Sequence, residues 1–280
     1  MPKNAPLRAS LIVVLLCAAA LAQGPPPPPP PPQDYPPPAR LGPQQLDQIV
    51  ERIALYPDPL LAQILTGSTY WNEIADASGW ANQHSYLHGD ELSRAIYDDN
   101  LPFDPSVLAL LPFPGVLDMM ARDPAWTQAL GNAVLAQRPD VMDAVQRMRQ
   151  KAMDYGYLES NPQYRVVAGG PGDIEILPVN PGYVYVPFYD PLIVFGPPRP
   201  GFFIGGAIRF GPGIYIGAFA PFGWAGAVLG WRTHEIIIDH RPWERTWVNR
   251  GNYVHSYAVP YRRPAAPRVE RHERREERRR

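Results

Sequence analysis

The fold is decided by a short apolar segment, residues 53–65, which reads IALYPDPLLAQIL. Tyr56 precedes a proline and ends one helix, because the residue before proline is driven out of the helical region. Asp58 and Pro59 open the next helix, with Asp58 as the expected cap of the free N–H groups and proline in the first turn, where it loses no hydrogen bond. The segment therefore predicts two helices joined by a tight corner.

Similar helix signals recur on both sides of this corner. Upstream, apolar residues between Leu46 and Ala54 follow the spacing of one helix face. Downstream, further helices are predicted to open at Asp104-Pro105, Asp123-Pro124 and Pro139-Asp140. We therefore predict a compact multi-helix lobe over residues 43–160, which carries 16 acidic against 7 basic residues.

The apolar pattern changes to a period of two residues after position 160, which is typical of strands. Residues 174–177 and 183–186 are predicted to pair as a hairpin around residues 179–182, since Pro-Gly fits a type II turn. Further strands are predicted at residues 192–195, 214–219 and 234–248. The expected fold class is α+β, a multi-helix lobe followed by a small antiparallel β region.

The two ends of the chain differ from the middle. Proline accounts for 37 of the 280 residues, and residues 25–32 are eight consecutive prolines. This run predicts a polyproline II rod, either a stiff spacer or a docking motif for a proline-binding partner. Residues 262–280 hold nine arginines and four glutamates, which predicts a disordered charged tail, either simply solvated or in contact with an anionic surface. The tail arginines proposed for that contact are Arg271, Arg274, Arg275, Arg278, Arg279 and Arg280.

The first 22 residues have the pattern of a secretory signal peptide. A positively charged start precedes an apolar run of about 12 residues, shorter than the roughly 20 that a membrane-spanning helix needs. A small-x-small sequence then predicts cleavage between Ala22 and Gln23. Because Cys17 is the single cysteine and lies in this segment, the mature protein is expected to have no disulfide and no thiolate metal site.

These patterns divide the chain into six segments. They are a signal peptide at 1–22, a Pro-rich linker at 23–42, the helical lobe at 43–160, a β-hairpin region at 161–200, a Gly/aromatic-rich β region at 201–261 and the Arg-rich tail at 262–280.

The strongest binding signal is the concentration of aromatic residues in the C-terminal half, since residues 183–261 hold 18 of the 31 aromatic residues. Seven of them are candidates for a ring-stacking surface that contacts a glycan or a protein: Tyr183, Tyr185, Tyr189, Trp224, Trp231, Trp243 and Trp247. Residues 210–231 are uncharged and long enough to span a bilayer, but they contain two prolines and six glycines. This composition favours β structure or an ordered apolar loop over membrane contact.

Candidates for catalysis and metal binding are few. Glu51 and Glu73 are the carboxylates considered for glycosidase-like cleavage, although a solvated helix carboxylate is the simpler interpretation. His84 and His88 have the i, i+4 spacing of zinc ligands on a helix, but Gly89 interrupts that helix. The sequence contains no phosphate-binding loop, dinucleotide fingerprint or serine-hydrolase motif, and it predicts no cofactor.

Several of the quoted segments, taken in chain order, resemble a bacterial family known as domain of unknown function 3300. They are residues 53–65, 103–107, 113–114, 123–127 and 137–149, followed by Val179-Asn180-Pro181 and Tyr185-Val186-Pro187. The resemblance covers about residues 45–195 and is looser after Gly201. It implies an exported protein of the periplasm or outer envelope of a Gram-negative bacterium, and it brings no activity, catalytic residue or ligand. Gly79 departs from the family pattern and is expected to weaken its helix.

The leading functional interpretation is a non-catalytic interaction or scaffold protein of the cell envelope, with an envelope protein or a glycan as partner. One alternative is a cell-wall glycan or peptide hydrolase, and another is a peripheral membrane-binding protein. Whether the protein is an enzyme stays open at this point. The 26 basic residues are balanced by 27 acidic ones, which argues against a nucleic-acid partner.

Overall fold

The computed structural model describes residues 36–169, 173–198 and 206–253. The predicted cleavage site at Ala22 and Gln23, the proline run and the Arg-rich tail lie outside these residues. Met1–Pro36 and Pro37–Arg280 are separate units, and every helix and strand described here belongs to the second unit.

The N-terminal part of this unit is helical. The helices are α1 Pro43–Val50, α2 Asp58–Gly67, α3 Trp71–Gln83, α4 Gly89–Asp98, α5 Pro105–Leu108, α6 Pro114–Arg122 and α7 Pro124–Asp154, with a 3₁₀ turn at Ser68–Tyr70 between α2 and α3. Together with the antiparallel strands that follow, they confirm the predicted α+β class. The helix α3 runs through Gly79 without interruption.

Two of the predicted helix caps are confirmed, and one is wrong. The carboxylate of Asp104 accepts a hydrogen bond from the backbone N–H of Ser106, and Asp123 does the same for Trp126. Asp58, in contrast, is the first residue inside α2, and its carboxylate caps no N–H group of that helix. The reason is that this carboxylate is buried in long-range contacts with α7 and the strands.

The predicted helix at Pro139 is the second half of the long helix α7. The backbone of Gln137 leaves the helical region (φ −150°, ψ 48°), which kinks α7 two residues before the proline. The side-chain amide of Gln137 accepts a hydrogen bond from the N–H of Leu41 at 2.8 Å and donates one to its carbonyl at 3.1 Å. The residue at the kink therefore anchors the chain segment that leads into α1.

The C-terminal part contains seven described strands in three small antiparallel groups. The strands are β1 Tyr164–Ala168, β2 Ile174–Pro178, β3 Tyr183–Tyr189, β4 Ile208–Tyr215, β5 Val228–Gly230, β6 Glu235–Ile238 and β7 Arg241–Pro242. β1 pairs with β2, β3 pairs with β4, and β5, β6 and β7 form a three-stranded sheet.

The predicted hairpin between residues 174–177 and 183–186 is wrong, because β2 pairs with the preceding strand and β3 with the following one. On the edge of β3 that does not face β4, the side chain of Tyr164 bonds to the backbone of Tyr185. The N–H of Tyr185 donates to the hydroxyl of Tyr164 at 2.5 Å, and that hydroxyl donates to the carbonyl of Tyr185. A tyrosine thus occupies the position where a neighbouring strand was expected.

Two further strand predictions are wrong. Residues 191–194 form a short helix, α8 Pro191–Val194, since Asp190 caps it and Pro191 fills its first turn. The strand predicted at 214–219 ends at Tyr215, and Gly217–Phe222 is a 3₁₀ helix. The isoleucines predicted as a strand at 236–238 do lie in β6.

One hydrophobic core is shared by the helices and the strands. Leu60, Ile64 and Val134 from the helices are fully buried in the same cluster as Trp231 and Ile236 from the β part. The apolar segment 210–231 contributes further buried side chains to this core: Ile216, Phe219, Trp224 and Leu229. None of the helices in the described ranges is both long enough and apolar enough to span a membrane.

Candidate functional site

A buried ion pair joins the helical part to the strands. One guanidinium nitrogen of Arg149 lies 2.7 Å from a carboxylate oxygen of Asp58, and the two side chains are 0% and 4% exposed. The same guanidinium donates to the carbonyls of Ala54, Tyr56 and Ile174 at 2.7–2.9 Å. Each nitrogen of the guanidinium thereby has an acceptor, which is the condition for burying a charged group.

Trp231 completes this network from the β part. Its indole N–H donates to Asp58 at 2.9 Å, and its ring lies 4.7 Å from the Arg149 guanidinium. The backbone N–H of Ile176 in β2 also donates to Asp58 at 3.3 Å. The network therefore fixes the position of the strands against α2 and α7. Its polar groups bond to one another within the core and do not form a ligand site.

Exposed aromatic rings recur along the β3–β4 ribbon. Tyr183 and Phe188 of β3 are 37% and 51% exposed, Tyr215 of β4 is 48% exposed, and Tyr185 is half-buried between them. Tyr183 and Tyr215 are register partners, and their ring centroids lie 5.5 Å apart at an interplanar angle of 52°. We call these four rings the aromatic strip.

The glycines of β4 allow these rings to lie against the strand. A Cβ atom at Gly213 would lie 2.7 Å from the ring of Tyr185, and one at Gly211 would lie 3.2 Å from the ring of Phe188. Tyr185 and Gly213 are register partners, and the register shifts between Tyr185 and Pro187. This irregularity leaves Pro187 buried and Phe188 exposed, which continues the aromatic strip beyond the shift.

A cleft of about 600 Å³ adjoins one end of the aromatic strip. Tyr183 and Tyr215 form one wall, and His84 and His88, from the segment between α3 and α4, form part of the other. Most of the remaining lining is apolar: Leu87, Leu92, Leu111, Pro112, Ile214 and Phe219. Concave, mainly apolar cavities of this size are the usual form of ligand sites.

The two histidines are placed as parts of the cleft wall. The His84 ring stacks on Trp80 at a centroid distance of 4.0 Å, and its Nδ1 lies 2.9 Å from the Trp80 carbonyl oxygen. His88 is the residue that precedes α4. In the part of the chain that the structure describes, no group of three or more His, Cys, Asp or Glu side chains is arranged to hold a metal ion.

Five of the seven aromatic candidates from the sequence lie outside the aromatic strip. Trp224 and Trp231 are 6% and 5% exposed and donate to Ala109 and Asp58, so both belong to the core. Tyr189 is half-buried, and its hydroxyl donates to the carbonyl of Glu51 at 2.9 Å. Trp243 and Trp247 are half-buried, and each is covered by an arginine guanidinium.

Tyr183 and Tyr185 therefore lie on the strip with two residues that sequence reasoning missed, Phe188 and Tyr215. A usable signal was the alternation of Gly211 and Gly213 with larger residues, because such glycines leave room for rings from the partner strand.

The two carboxylates considered for catalysis are not brought into one cavity. Glu51 follows α1 and lines a surface depression with Arg147 and Lys151. Glu73 is 1% exposed in the first turn of α3, where it accepts a hydrogen bond from the N–H of Asp104 at 2.7 Å. A carboxyl group in that position does not face a substrate in this conformation.

Burial raises the pKa of Glu73 to about 7, and the nearby Asp104 carboxylate adds to this effect. The Asp104 N–H and the Arg245 guanidinium act in the opposite direction and lower the pKa. The pKa of Glu51 is also raised by burial, against the lowering effect of Arg52 and Lys151. Between pH 4.5 and about pH 7, Glu73 thus keeps a proton that an ordinary glutamate has lost.

Replacing Glu73 with glutamine is expected to remove a pH dependence of stability. The unfolded chain releases this proton near pH 4.5 and the folded chain near pH 7, so the wild-type free energy of unfolding should fall across this interval as the pH rises. Glutamine mimics the protonated acid. We expect Glu73→Gln to match the wild type at pH 4 and to be about 2–3 kcal/mol more stable at pH 8.

Urea unfolding from pH 4 to pH 8 measures this difference. Glu91→Gln, at an exposed position of α4, is the matched control and should follow the wild type throughout. A difference between Glu73→Gln and the wild type that stays constant with pH would contradict the expectation.

The comparisons with known proteins give a family but no activity. The model of a family described as "Protein of unknown function (DUF3300)" matches residues 42–263. A curated relative, "Uncharacterized protein YacH" of Escherichia coli (strain K12), is 37% identical over 183 residues, and the alignment covers 54% of this chain. It covers 29% of YacH, so this chain spans less than a third of that relative. No solved structure matches the chain.

Proposed function

The chain belongs to the DUF3300 family of proteins of unknown function, and we propose that it is an exported protein of the cell envelope that binds a partner without catalysis. The binding surface is the aromatic strip together with the adjoining cleft. The role is that of an interaction or scaffold protein.

The observation that carries this proposal is the aromatic strip itself. In a protein of this size, large aromatic side chains are normally buried in the core, as Trp224 and Trp231 are. Tyr183, Phe188 and Tyr215 instead stay 37–51% exposed, next to a mainly apolar cleft of about 600 Å³. An exposed apolar patch that continues into a concave cavity is characteristic of a surface that contacts a partner.

The described cleft lacks the pair of carboxylates that glycosidase-like cleavage needs. Its titratable lining residues are His84, which stacks on Trp80, and His88. Glu73 is buried away from the surface, and Glu51 lies in a different depression with Arg147 and Lys151. Tyr183, Tyr215 and the leucines of the lining offer contact area instead.

Export and an envelope location are supported by the signal-like N-terminal sequence and by the family resemblance. The apolar segment 210–231 is the main reason to consider a membrane-binding role. Its large side chains Phe219, Trp224 and Trp231 are buried in the core, so folding accounts for much of its apolar character.

Site-specific photocrosslinking in native cells tests this proposal. The photoreactive residue p-benzoylphenylalanine replaces Tyr183 in the full-length protein, and it replaces Tyr97 in a matched control. Tyr97 is 78% exposed on α4 and does not line the cleft. We expect an adduct from position 183 in the envelope fraction, with a processed N-terminus, and none from position 97.

Equal adducts at both positions, or none at position 183, would contradict a binding role for the aromatic strip. An unprocessed protein confined to the cytoplasmic fraction would contradict the proposed export.

A further inference from the structure

The length of the aromatic strip suits an extended ligand. From Tyr183 to Phe188 the strand advances five residues, about 17 Å at roughly 3.3 Å per residue. The cleft lies at one end, and a second cavity of about 630 Å³, lined by Phe188, Ile193 and Arg209, lies at the other. A polyproline II helix advances about 9 Å per turn of three residues, so two turns of such a helix match the strip.

The side-chain hydrogen-bonding groups of the strip are all tyrosine hydroxyls. Tyr183, Tyr185 and Tyr215 carry hydroxyl groups that can donate, and in the described residues none of these hydroxyls is held by another group. A polyproline II segment has free carbonyl acceptors along its length, and its prolines have no N–H donor. A surface of rings and hydroxyl donors therefore satisfies such a segment.

A glycan is less well matched to the same surface. Its many hydroxyl groups each need a hydrogen-bond partner, and the lining of the cleft is mainly apolar. The charged side chains Asp190 and Arg209 line the cavity at the far end of the strip, whereas no described Asp, Glu, Lys or Arg lines the cleft.

The strip is held in place before any ligand arrives. Gly211 and Gly213 seat the rings of Phe188 and Tyr185, and the Tyr164 hydroxyl fixes the backbone of Tyr185. A polyproline II segment is likewise preformed, because proline restricts its backbone. Association of two preformed partners loses little conformational entropy, which is why aromatic grooves recognise proline-rich segments.

Resting on the proposed function, we propose that the aromatic strip binds a proline-rich segment in the polyproline II conformation. The chain itself carries a segment of this chemistry, the eight prolines at 25–32. A peptide of eight prolines in that conformation is about 25 Å long at about 3.1 Å per residue, which exceeds the length of the strip.

A synthetic peptide tests the inference directly. A fluorescein-labelled peptide with the sequence of residues 24–38 is titrated with the full-length protein, and binding is followed by fluorescence anisotropy. The double variant Tyr183→Ala/Tyr215→Ala is expected to bind at least tenfold more weakly than the wild type. Tyr97→Ala should bind like the wild type, and a peptide with Gly-Ser repeats in place of the eight prolines should not bind.

A second variant separates the lost contact from a lost fold. Tyr183→Phe/Tyr215→Phe keeps the rings and removes two donors, so we expect binding that is severalfold weaker with an unchanged thermal unfolding midpoint. Equal affinity of the wild type and both double variants would overturn the inference, as would an undetectable affinity of the wild type for the peptide.

The same titration with chitohexaose distinguishes this inference from the function on which it rests. Binding of chitohexaose that depends on Tyr183 and Tyr215, with no binding of the peptide, would overturn the proline-rich ligand and leave the proposed binding role intact. Loss of the crosslink at position 183 in cells would remove the binding role itself.

Discussion

Replacing Arg149 with methionine is expected to lower the free energy of unfolding by about 3–5 kcal/mol. The substitution keeps most of the volume but leaves the carboxylate of Asp58, which is 4% exposed, without its charged partner. The carbonyls of Ala54, Tyr56 and Ile174 lose a donor at the same time. Removing one member of a buried pair is costly because the other charge stays buried.

Urea unfolding of the purified protein measures this loss. Arg147→Met is the matched control, since Arg147 pairs with Asp47 at 2.6 Å on the surface, where the side chains are 42% and 30% exposed. We expect the control to cost about 1 kcal/mol or less. The double variant Asp58→Asn/Arg149→Met removes both charges and should be more stable than Arg149→Met alone. A loss for Arg149→Met as small as that of the control would refute the assignment.

Gly131→Ala is expected to destabilise the protein by about 3 kcal/mol or more, at the upper end of overpacking effects. At this position α7 approaches the 3₁₀ turn Ser68–Tyr70 so closely that a Cβ atom would collide with the carbonyl oxygen of Ser68. It would also lie 2.7 Å from the Ser68 carbonyl carbon and 3.0 Å from the Cα of Thr69. These are backbone atoms, so the strain is relieved only by moving one element away from the other.

Gly79→Ala is the matched control, because Gly79 lies inside α3 and, apart from the backbone of its own helix, no described atom lies within 4 Å of its added Cβ. Alanine restricts the unfolded chain and suits a helix, so we expect Gly79→Ala to stabilise the protein by about 0.5–1 kcal/mol. Thermal and urea unfolding of the two variants should shift in opposite directions. A Gly131→Ala protein as stable as the wild type would show that α7 and the turn separate without cost.

The helices were predictable because their signals are local. In the pairs Asp104-Pro105 and Asp123-Pro124, the aspartate predicts a helix cap and the proline predicts the first turn. Both helices begin in this way in the structure. The same pair occurs at Asp190-Pro191, where the apolar residues that follow predict a strand over 192–195, but the structure forms α8. In such a short segment, period-two and helical patterns are indistinguishable, and the cap was the better guide.

The contacts that decide the rest are distant in sequence. Nothing near Asp58 indicates that its carboxylate meets Arg149 and Trp231. The hairpin prediction is wrong for the same reason, since the pairing of β3 with β4 depends on register across the interval 190–207. The aromatic strip was half predicted, because Tyr183 and Tyr185 alternate locally whereas the position of Tyr215 follows from that register.

The attachment of Leu41 to Gln137 has a mechanical consequence. One side-chain amide holds both the N–H and the carbonyl of Leu41, and Arg40 pairs with Asp140 at 2.5 Å one turn further along α7. Tension applied through the residues before Pro37 would therefore enter the fold at the middle of its longest helix. The first bonds to break would be these side-chain clamps and not the ladder of β3 and β4, so the aromatic strip would keep its shape while the chain is pulled.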